Sequence, residues 1–363
     1  MIPISKPYFP FGNKLEVIKA VNSGWISSLG PYFEKLEQSF EDHYQRFPVF
    51  VSNGTVALSL ALETLGIKEN DEVLLPDYTF VATANAVRHI GAIPVFVKSN
   101  VRSMSLDFND LQLKLSDKIK AIILVPLYGI PLEYDRVLKV VKDRNIKIVE
   151  DAAESHFAIY KGREIGTFGD ASCFSFYGNK IITSGEGGVI LYKNEEYALR
   201  AKHLRDHAMS KSKRYWHDEV GYNYRMTNIQ ASLLYWQFKH RNSIVAKRKR
   251  IFDLYSKYFN DKPDLLLHHV VNDEEIKVGY WLVTINLTSV ISLKERDELI
   301  NILAKNNIDS RPTFYKLSNM PMYNSSSQEE EYIWGISLPT YIGLREKNIK
   351  KICQIVLQYL AKC

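Results

Sequence analysis

The apolar positions in the first two thirds of the chain switch period repeatedly. "FPVFV" (47–51) is a short continuous apolar run, the pattern of a strand buried on both faces. After the turn "SNGT", the stretch "VALSLALETLG" predicts a helix with Gly66 just past its C-cap. The alternation then repeats: "DEVLLP" as strand, "FVATANAVRHIG" as helix closing on Gly91, "IPVFV" and "AIILVPLYG" as strands, "LEYDRVLKVVKDRN" as helix and "IKIVEDAA" as strand. "ASCFSFY" and "GGVILYK" add two more strands. Such an alternation predicts an α/β fold with a mostly parallel sheet between helices.

The pattern changes near residue 226. "TNIQASLLYWQFKHRNSIVAKRKRIFDLYSKYF" predicts one long helix, or two in tandem, with Thr227 as N-cap. Beyond it, "YWLVTINL", "SLKERDELINILAKNN", "IDSRPTFY" and "NIKKICQIVLQYLAK" read as strand, helix, strand and helix, enough for a small α/β lobe. The expected division is a large domain over 1–240 and a small C-terminal domain over 241–363. The polar run "YNSSSQEEE" (323–331) is expected to be a mobile loop.

Composition narrows the classes without choosing among them. With 46% apolar and 24% charged residues over 363 positions, the chain is globular rather than disordered. A net charge of +6 against 41 acidic residues suits anionic ligands as readily as nucleic acid. Cys173, Cys353 and Cys363 are too few and too scattered for a disulfide framework or a zinc site. The N-terminal "MIPISKPYFPFGNK" is broken by three prolines and two lysines before any signal-type core forms. The longest apolar run, 121–130, is about half the ~20 residues that span a bilayer. No membrane segment is expected, and the expected location is the cytoplasm.

Ligands of open α/β sheets collect at the carboxyl ends of the strands. Four such ends carry chemistry. In "SNGT", Gly54 lets an anion approach the helix N-terminus and the Thr55 hydroxyl adds a bond, although Ser52 or Asn53 serving only as an N-cap explains the same residues. In "IVEDAAE", Asp151 ends a strand apolar enough to be buried and needs a cationic partner, which a protonated ring nitrogen, a metal or a salt bridge would supply. In "PDYTF", Tyr78 and Phe80 offer rings for a planar group or for covering the core. In "GNK", Lys180 stands among glycines between strands, as a nucleophilic amine or a phosphate ligand, with Ser175 near enough in sequence to serve the same anion. A phosphate cup, a buried carboxylate, an aromatic platform and an amine together match what pyridoxal phosphate requires.

The stretches "EDAAESHFAIYKGREIGTFGDASCFSFYGNKIITSGEGG", "GYNYRMTNIQA" and "RPTFY" closely resemble the nucleotide-sugar aminotransferases of the DegT/DnrJ/EryC1 group. The likeness runs from "GWISSLGPYFEKLE" (24–37) to "ISLPTY", and "FYGNK.IT.GEGG" with "YWHD..GYNYRMTNI" is most similar to the GDP-perosamine synthase subfamily. This resemblance implies a fold-type I pyridoxal phosphate transferase, with a mostly parallel seven-stranded sheet in the large domain, a smaller C-terminal α/β domain, and the 1–35 segment lining the active site.

The resemblance also implies residue roles. Lys180 would be the Schiff-base lysine, Asp151 the partner of the pyridine nitrogen, and Glu154 would lie beside the ring where many relatives carry glutamine. Phe80 would stack on the ring, and Gly54, Thr55 and Ser175 would bind its phosphate. Asn223 would reach that phosphate from a neighbouring subunit, implying a homodimer with a shared site. Trp25, His207, Arg311 and Tyr315 are candidates for the substrate side.

The implied reaction moves an amino group from L-glutamate to C4 of a nucleotide-linked 4-keto-6-deoxyhexose, giving a perosamine- or viosamine-type sugar and 2-oxoglutarate. The cofactor would cycle between pyridoxal and pyridoxamine 5'-phosphate. Lysine rather than histidine at 180 favours transamination over the related sugar dehydration. Alternatives are a 3-aminotransferase, an aminotransferase of a non-sugar ketone, or a nucleic-acid-binding protein using the basic "KHRNSIVAKRKR" (239–250). Phe157 departs from the resemblance, standing where relatives usually have glycine, in a loop expected close to the cofactor.

Overall fold

The computed structural model describes residues 1–100, 104–142, 144–259, 265–267, 274–287, 292–323 and 335–362. Most of the polar run 323–331 and Cys363 lie outside the described residues.

Two helices, α1 (Phe11–Asn22) and α2 (Pro31–Tyr44), precede the first strand. The large unit then runs β1 (Phe47–Val51), α3 (Gly54–Thr64), β2 (Glu72–Pro76), α4 (Ala82–His89), β3 (Ile93–Val97), α5 (Phe108–Lys114), β4 (Ile119–Leu124), α6 (Tyr134–Val141) and β5 (Lys147–Asp151). A hairpin, β6 (Ile159–Tyr160) and β7 (Arg163–Glu164), leads to β8 (Ala171–Ser175), β9 (Gly188–Tyr192), α7 (Glu195–Leu204) and α8 (Asn228–Lys239). Among the described residues the main sheet has seven strands in the order β1-β9-β8-β5-β4-β2-β3. Only β9 runs against the others. The mostly parallel sheet expected from the alternating periods is therefore present, and its apolar runs are buried because helices cover it.

Local chemistry explains the boundaries. The Asn53 side chain caps α3 by accepting from the Val56 N–H at 3.0 Å, and Gly66 follows the helix at φ +89°. Thr227 and Gln230 form a reciprocal capping box at the start of α8. The predicted long helix is two in tandem, with a break at His240 before α9 (Arg241–Phe259).

The C-terminal part adds β10 (Leu265–Leu267), β11 (Ile276–Lys277), β12 (Val283–Leu287), α10 (Leu293–Lys305), β13 (Arg311–Pro312), β14 (Gly335–Leu338) and α11 (Glu346–Leu360). Strands β10, β12, β14 and β13 form a second, antiparallel sheet. Two cores result, and the handover between them falls inside α9: Ile244 packs with the first core, Ile251 and Phe252 with the second. The N-terminus joins the smaller lobe, since Ile2 bridges to Ile308 and the Ile4 N–H donates to Asp309.

The basic run 239–250 is largely engaged within the molecule. Arg241 reaches His43 and the Phe238 carbonyl, Lys247 reaches Tyr8, Arg248 is buried against backbone carbonyls, and Lys249 pairs with Asp253. Such a stretch offers far less free charge than its sequence suggests.

The two lobes meet where Gly129 and Gly279 touch. The Gly279 N–H donates to the Gly129 carbonyl at 2.7 Å, and Gly129 sits at φ +82°. A methyl group on Gly129 would lie 2.1 Å from the Gly279 oxygen, a contact no side chain movement relieves. Gly129→Ala is expected to destabilise the protein by roughly 3 kcal/mol or more. Chemical denaturation measures this; a loss under about 1 kcal/mol would contradict the close approach.

Candidate active site

The carboxyl ends of β1, β2, β4, β5 and β8 open into one cavity of about 670 Å³, closed on its far side by residues of the C-terminal lobe. Gly54, Thr55, Phe80, Asp151, Glu154, Ser175, Lys180 and Arg311 all line it. Residues separated by more than 250 positions thus share one space.

The cup comes from two turns pressed together. A Cβ on Gly54 would meet the Ser175 Cβ at 2.9 Å, so only glycine lets the start of α3 close on the end of β8. Thr55 follows in the first turn of α3, whose leading N–H groups lack helical partners. The dipole of that helix favours an anion between Thr55 and Ser175.

Lys180 is held by its backbone. Its N–H donates to the Tyr177 carbonyl at 2.9 Å. Three residues on, Gln237 of α8 reads both backbone groups of Thr183, accepting from its N–H at 3.0 Å and donating to its carbonyl at 2.5 Å. Gln237 is buried, so the turn carrying the lysine is clamped to α8. The amine points inward to lie 3.8 Å from Glu154 Oε1 and 4.0 Å from the centre of the Trp281 ring.

Asp151 is buried at the end of β5. Its Oδ2 accepts from the Thr83 hydroxyl at 2.7 Å and its Oδ1 from the Ala153 N–H at 3.3 Å. Burial raises its pKa, opposed by Thr83, Ala153 and Lys180. Burial likewise lowers the Lys180 pKa, opposed by Glu154 and Asp151. An amine depressed in this way is a better nucleophile near neutrality. Among the described residues no group of three or more His, Cys, Asp or Glu could hold a metal.

Glu154 is pushed up to about 7, chiefly by burial and against the opposing pull of Lys180. Its Oε2 accepts from the Tyr128 N–H at 2.9 Å. Because the folded value lies above the unfolded one of 4.5, the stability this group contributes is present below pH 4.5 and lost as pH rises through 7. Glu154→Gln is expected to remove that dependence. In the cofactor-free protein, wild type should lose stability relative to the variant between these two pH values, and parallel profiles would contradict the shift.

Four expected residues lie outside this cavity. Trp25 is half exposed, and no residue of 1–35 lines the cavity. His207 and Asn223 are exposed on the 205–223 segment, where Asp206 bridges to Asn223. Tyr315 is turned away, its hydroxyl accepting from Arg296. Phe157 also differs from expectation: its ring packs among His43, His156 and Phe238 and does not line the cavity. Its φ of +64° explains a preference for glycine at that position.

Tyr128, Trp281 and Phe314 line the cavity without having been singled out from the sequence. Tyr128 stacks between Phe314 at 5.3 Å and Trp281 at 5.9 Å. "LYG" follows a strand, so the rule that located the other residues would also have found Tyr128. Nothing in "YWLVTINL" marks Trp281, because it enters from the other lobe.

Residues 12–357 match the DegT/DnrJ/EryC1/StrS aminotransferase family. The chain belongs to this family. It is therefore a pyridoxal phosphate-dependent sugar aminotransferase. It is 38% identical to the GDP-perosamine synthase of Escherichia coli O157:H7 over 99% of this chain and 98% of that one. It is 34% identical to the GDP-perosamine synthase of Vibrio cholerae over 99% of both chains. The putative sugar aminotransferase Spr1654 from Streptococcus pneumoniae superposes in its PLP form with a TM-score of 0.92 at 29% identity over 99% of both chains. Its PMP form superposes with a TM-score of 0.93 at 28% identity over 100% of both chains.

The residues of the cavity suit this cofactor. The Gly54–Thr55–Ser175 cup offers helix N-terminal N–H groups and two hydroxyls that would suit a phosphate, Asp151 a buried carboxylate that would suit a ring nitrogen, and Lys180 an amine.

Proposed function

We propose that this aminotransferase moves the amino group of L-glutamate to C4 of a GDP-linked 4-keto-6-deoxyhexose, releasing the 4-amino-4,6-dideoxy sugar nucleotide and 2-oxoglutarate. The observation that carries this reading is the Lys180 amine, aimed into the cavity between Glu154 and Trp281 in a chain 38% identical to a GDP-perosamine synthase. When bound, pyridoxal phosphate supplies an electrophilic carbon and a ring that accepts electrons. The chain supplies the rest.

Gly54, Thr55 and Ser175 would hold the cofactor's phosphate, and Phe80 would supply an aromatic surface for its ring. Asp151, kept in place by Thr83, would face the ring nitrogen and favour its protonated form. Lys180 would be the amine that holds the cofactor, and once free it would carry a proton to and from the substrate carbon. Glu154, with a pKa about 7, can take up or give back the proton that Lys180 carries. Arg311 presents a guanidinium to the glutamate carboxylate or to the sugar-nucleotide pyrophosphate.

Asn223, exposed and outside its own chain's cavity, is assigned to the cofactor phosphate of a second subunit in a homodimer. The outer face of α1 supports such pairing, since Phe11, Ile18 and Val21 are exposed apolar residues on one helix. His207, Trp25 and Tyr315 are assigned to the substrate side of that assembled site. Among the described residues no helix is long and apolar enough to cross a membrane. Cys173 and Cys353 are free, buried thiols, which fits the cytoplasm as the place of reaction.

Incubation with L-glutamate and GDP-4-keto-6-deoxymannose, followed by NMR of the product, tests the reading. Nitrogen on C4 supports it. Nitrogen on C3, or turnover only with a non-sugar ketone, overturns it.

A further inference from the structure

Transamination requires the lysine amine to leave the cofactor and stay within reach of it. A free ammonium in a buried site is strongly disfavoured unless something faces it. In this protein a carboxylate and an aromatic face lie nearest to it. Lys180 Nζ lies 3.8 Å from Glu154 Oε1, and 4.0 Å from the centroid of the Trp281 ring with the amine over its face.

Trp281 is placed with unusual firmness. It is buried, and its indole N–H donates at 2.9 Å to the carbonyl of Asn179, the residue immediately before the lysine. The buried Arg248 of α9 donates to the carbonyl oxygens of Tyr280 and Trp281, so the backbone at the indole is clamped as well. The ring stacks on Tyr128 at 5.9 Å and 16°, and the Tyr128 N–H donates to Glu154. One contiguous set of contacts therefore joins the carboxylate, the indole and the lysine turn.

We propose that Trp281 is a positioning residue for the lysine amine: its indole face and the Glu154 carboxylate form a two-sided cradle that holds the Lys180 ammonium whenever the amine is not bonded to the cofactor. The proposal rests on the reading of Lys180 as the cofactor-bonding lysine. Glu154 alone would be an incomplete counter-charge, because burial keeps it partly protonated near neutrality. An aromatic face attracts a cation without titrating, so it completes the cradle at every pH. The charged or titratable groups facing the amine are Glu154 and Asp151 from the end of β5, and His156, which burial keeps neutral with a pKa lowered to about 3. Arg248 stands behind the Trp281 backbone and Arg311 lines the cavity from the C-terminal lobe, both on the cationic side of the balance.

The test follows the cofactor-free full-length protein as it captures pyridoxal phosphate, read by the growth of the visible absorbance of the lysine-bound cofactor. Only the unprotonated amine reacts, so the capture rate rises with pH around the apparent pKa of Lys180. A face-on cation–aromatic contact in a desolvated site is worth about one pH unit. Trp281→Leu is expected to lower that apparent pKa by about one unit, and Trp281→Phe, which keeps a weaker face, by about half as much. A profile unchanged from wild type in Trp281→Leu overturns the proposal and leaves Trp281 a packing residue.

If Trp281→Leu does not fold, the decision passes to Trp281→Phe, where an unchanged profile is equally adverse. A Glu154→Gln control shows that the profile responds to the other side of the cradle. Failure of the wild-type protein to develop the band at all overturns the role of Lys180, and this proposal with it. A normal band with an unshifted profile overturns only the cradle.

Discussion

Lys180→Ala is expected to abolish amino transfer while leaving the protein folded. The loss should be on the order of 10⁵-fold, the scale seen when an enzyme loses its only nucleophile. No neighbouring amine can substitute, since Lys180 is the one lysine among the described residues that line the cavity. The fold should survive for an electrostatic reason. Removing Lys180 takes a cation away from Glu154 and Asp151, but both are already raised by burial, and each can take up a proton rather than remain an unpaired buried charge. The stability change should stay below about 2 kcal/mol. Turnover within a hundredfold of wild type would remove the lysine from the chemistry, whereas loss of the folded state would mean that its charge holds the site together.

Asp151→Asn is expected to reduce turnover on the order of 100- to 1,000-fold. The substitution is nearly isosteric, and the amide oxygen can still accept from the Thr83 hydroxyl, now 2.7 Å from Oδ2. What disappears is the charge. On the proposed reading, a protonated ring nitrogen of the bound cofactor would lose its counter-charge at the end of β5, and the ring would accept electrons less readily. Cofactor capture should persist, because Lys180 and the phosphate cup are untouched. The informative pattern is a low rate in both half-reactions with the cofactor still bound. A rate within tenfold of wild type would show that Asp151 serves only to hold Thr83 and the Ala153 backbone in place.

The sequence carries the main sheet and the cofactor cavity for related reasons. Buried parallel strands leave continuous apolar runs, and the residue after each run falls on the ligand-binding edge. Asp151, Ser175 and Gly54 were readable because they lie within a few residues of strands that cannot be mistaken. β9 reads as well as its neighbours, yet its antiparallel direction has no local signature, since direction is set by the connection and not by the side chains. The hairpin of β6 and β7 escaped for a different reason: strands of two residues are too short to show a period.

The aromatic wall was hidden by lobe crossing. Trp281 and Phe314 lie in the C-terminal lobe's sequence but face a cavity at the edge of the large sheet. Trp281 lies two residues beyond the Gly129–Gly279 contact and donates to the Asn179 carbonyl, while the Phe314 N–H donates to the Tyr128 hydroxyl. The α1 face is the reverse case. Phe11, Ile18 and Val21 of α1 were not singled out from the sequence, and they are exposed in a single chain. A second subunit covering them would account for that exposure, and the proposed role of Asn223 calls on the same partner.

The most direct test of the central claim is the absorbance spectrum of the full-length protein loaded with pyridoxal phosphate, recorded before and after L-glutamate is added. The predicted result is a visible band that is absent from Lys180→Ala and that gives way, on addition of glutamate, to the shorter-wavelength band of the pyridoxamine form. Adding GDP-4-keto-6-deoxymannose should then restore the original band. A wild-type protein that binds the cofactor without developing the band, or a band that glutamate leaves unchanged, would contradict the account.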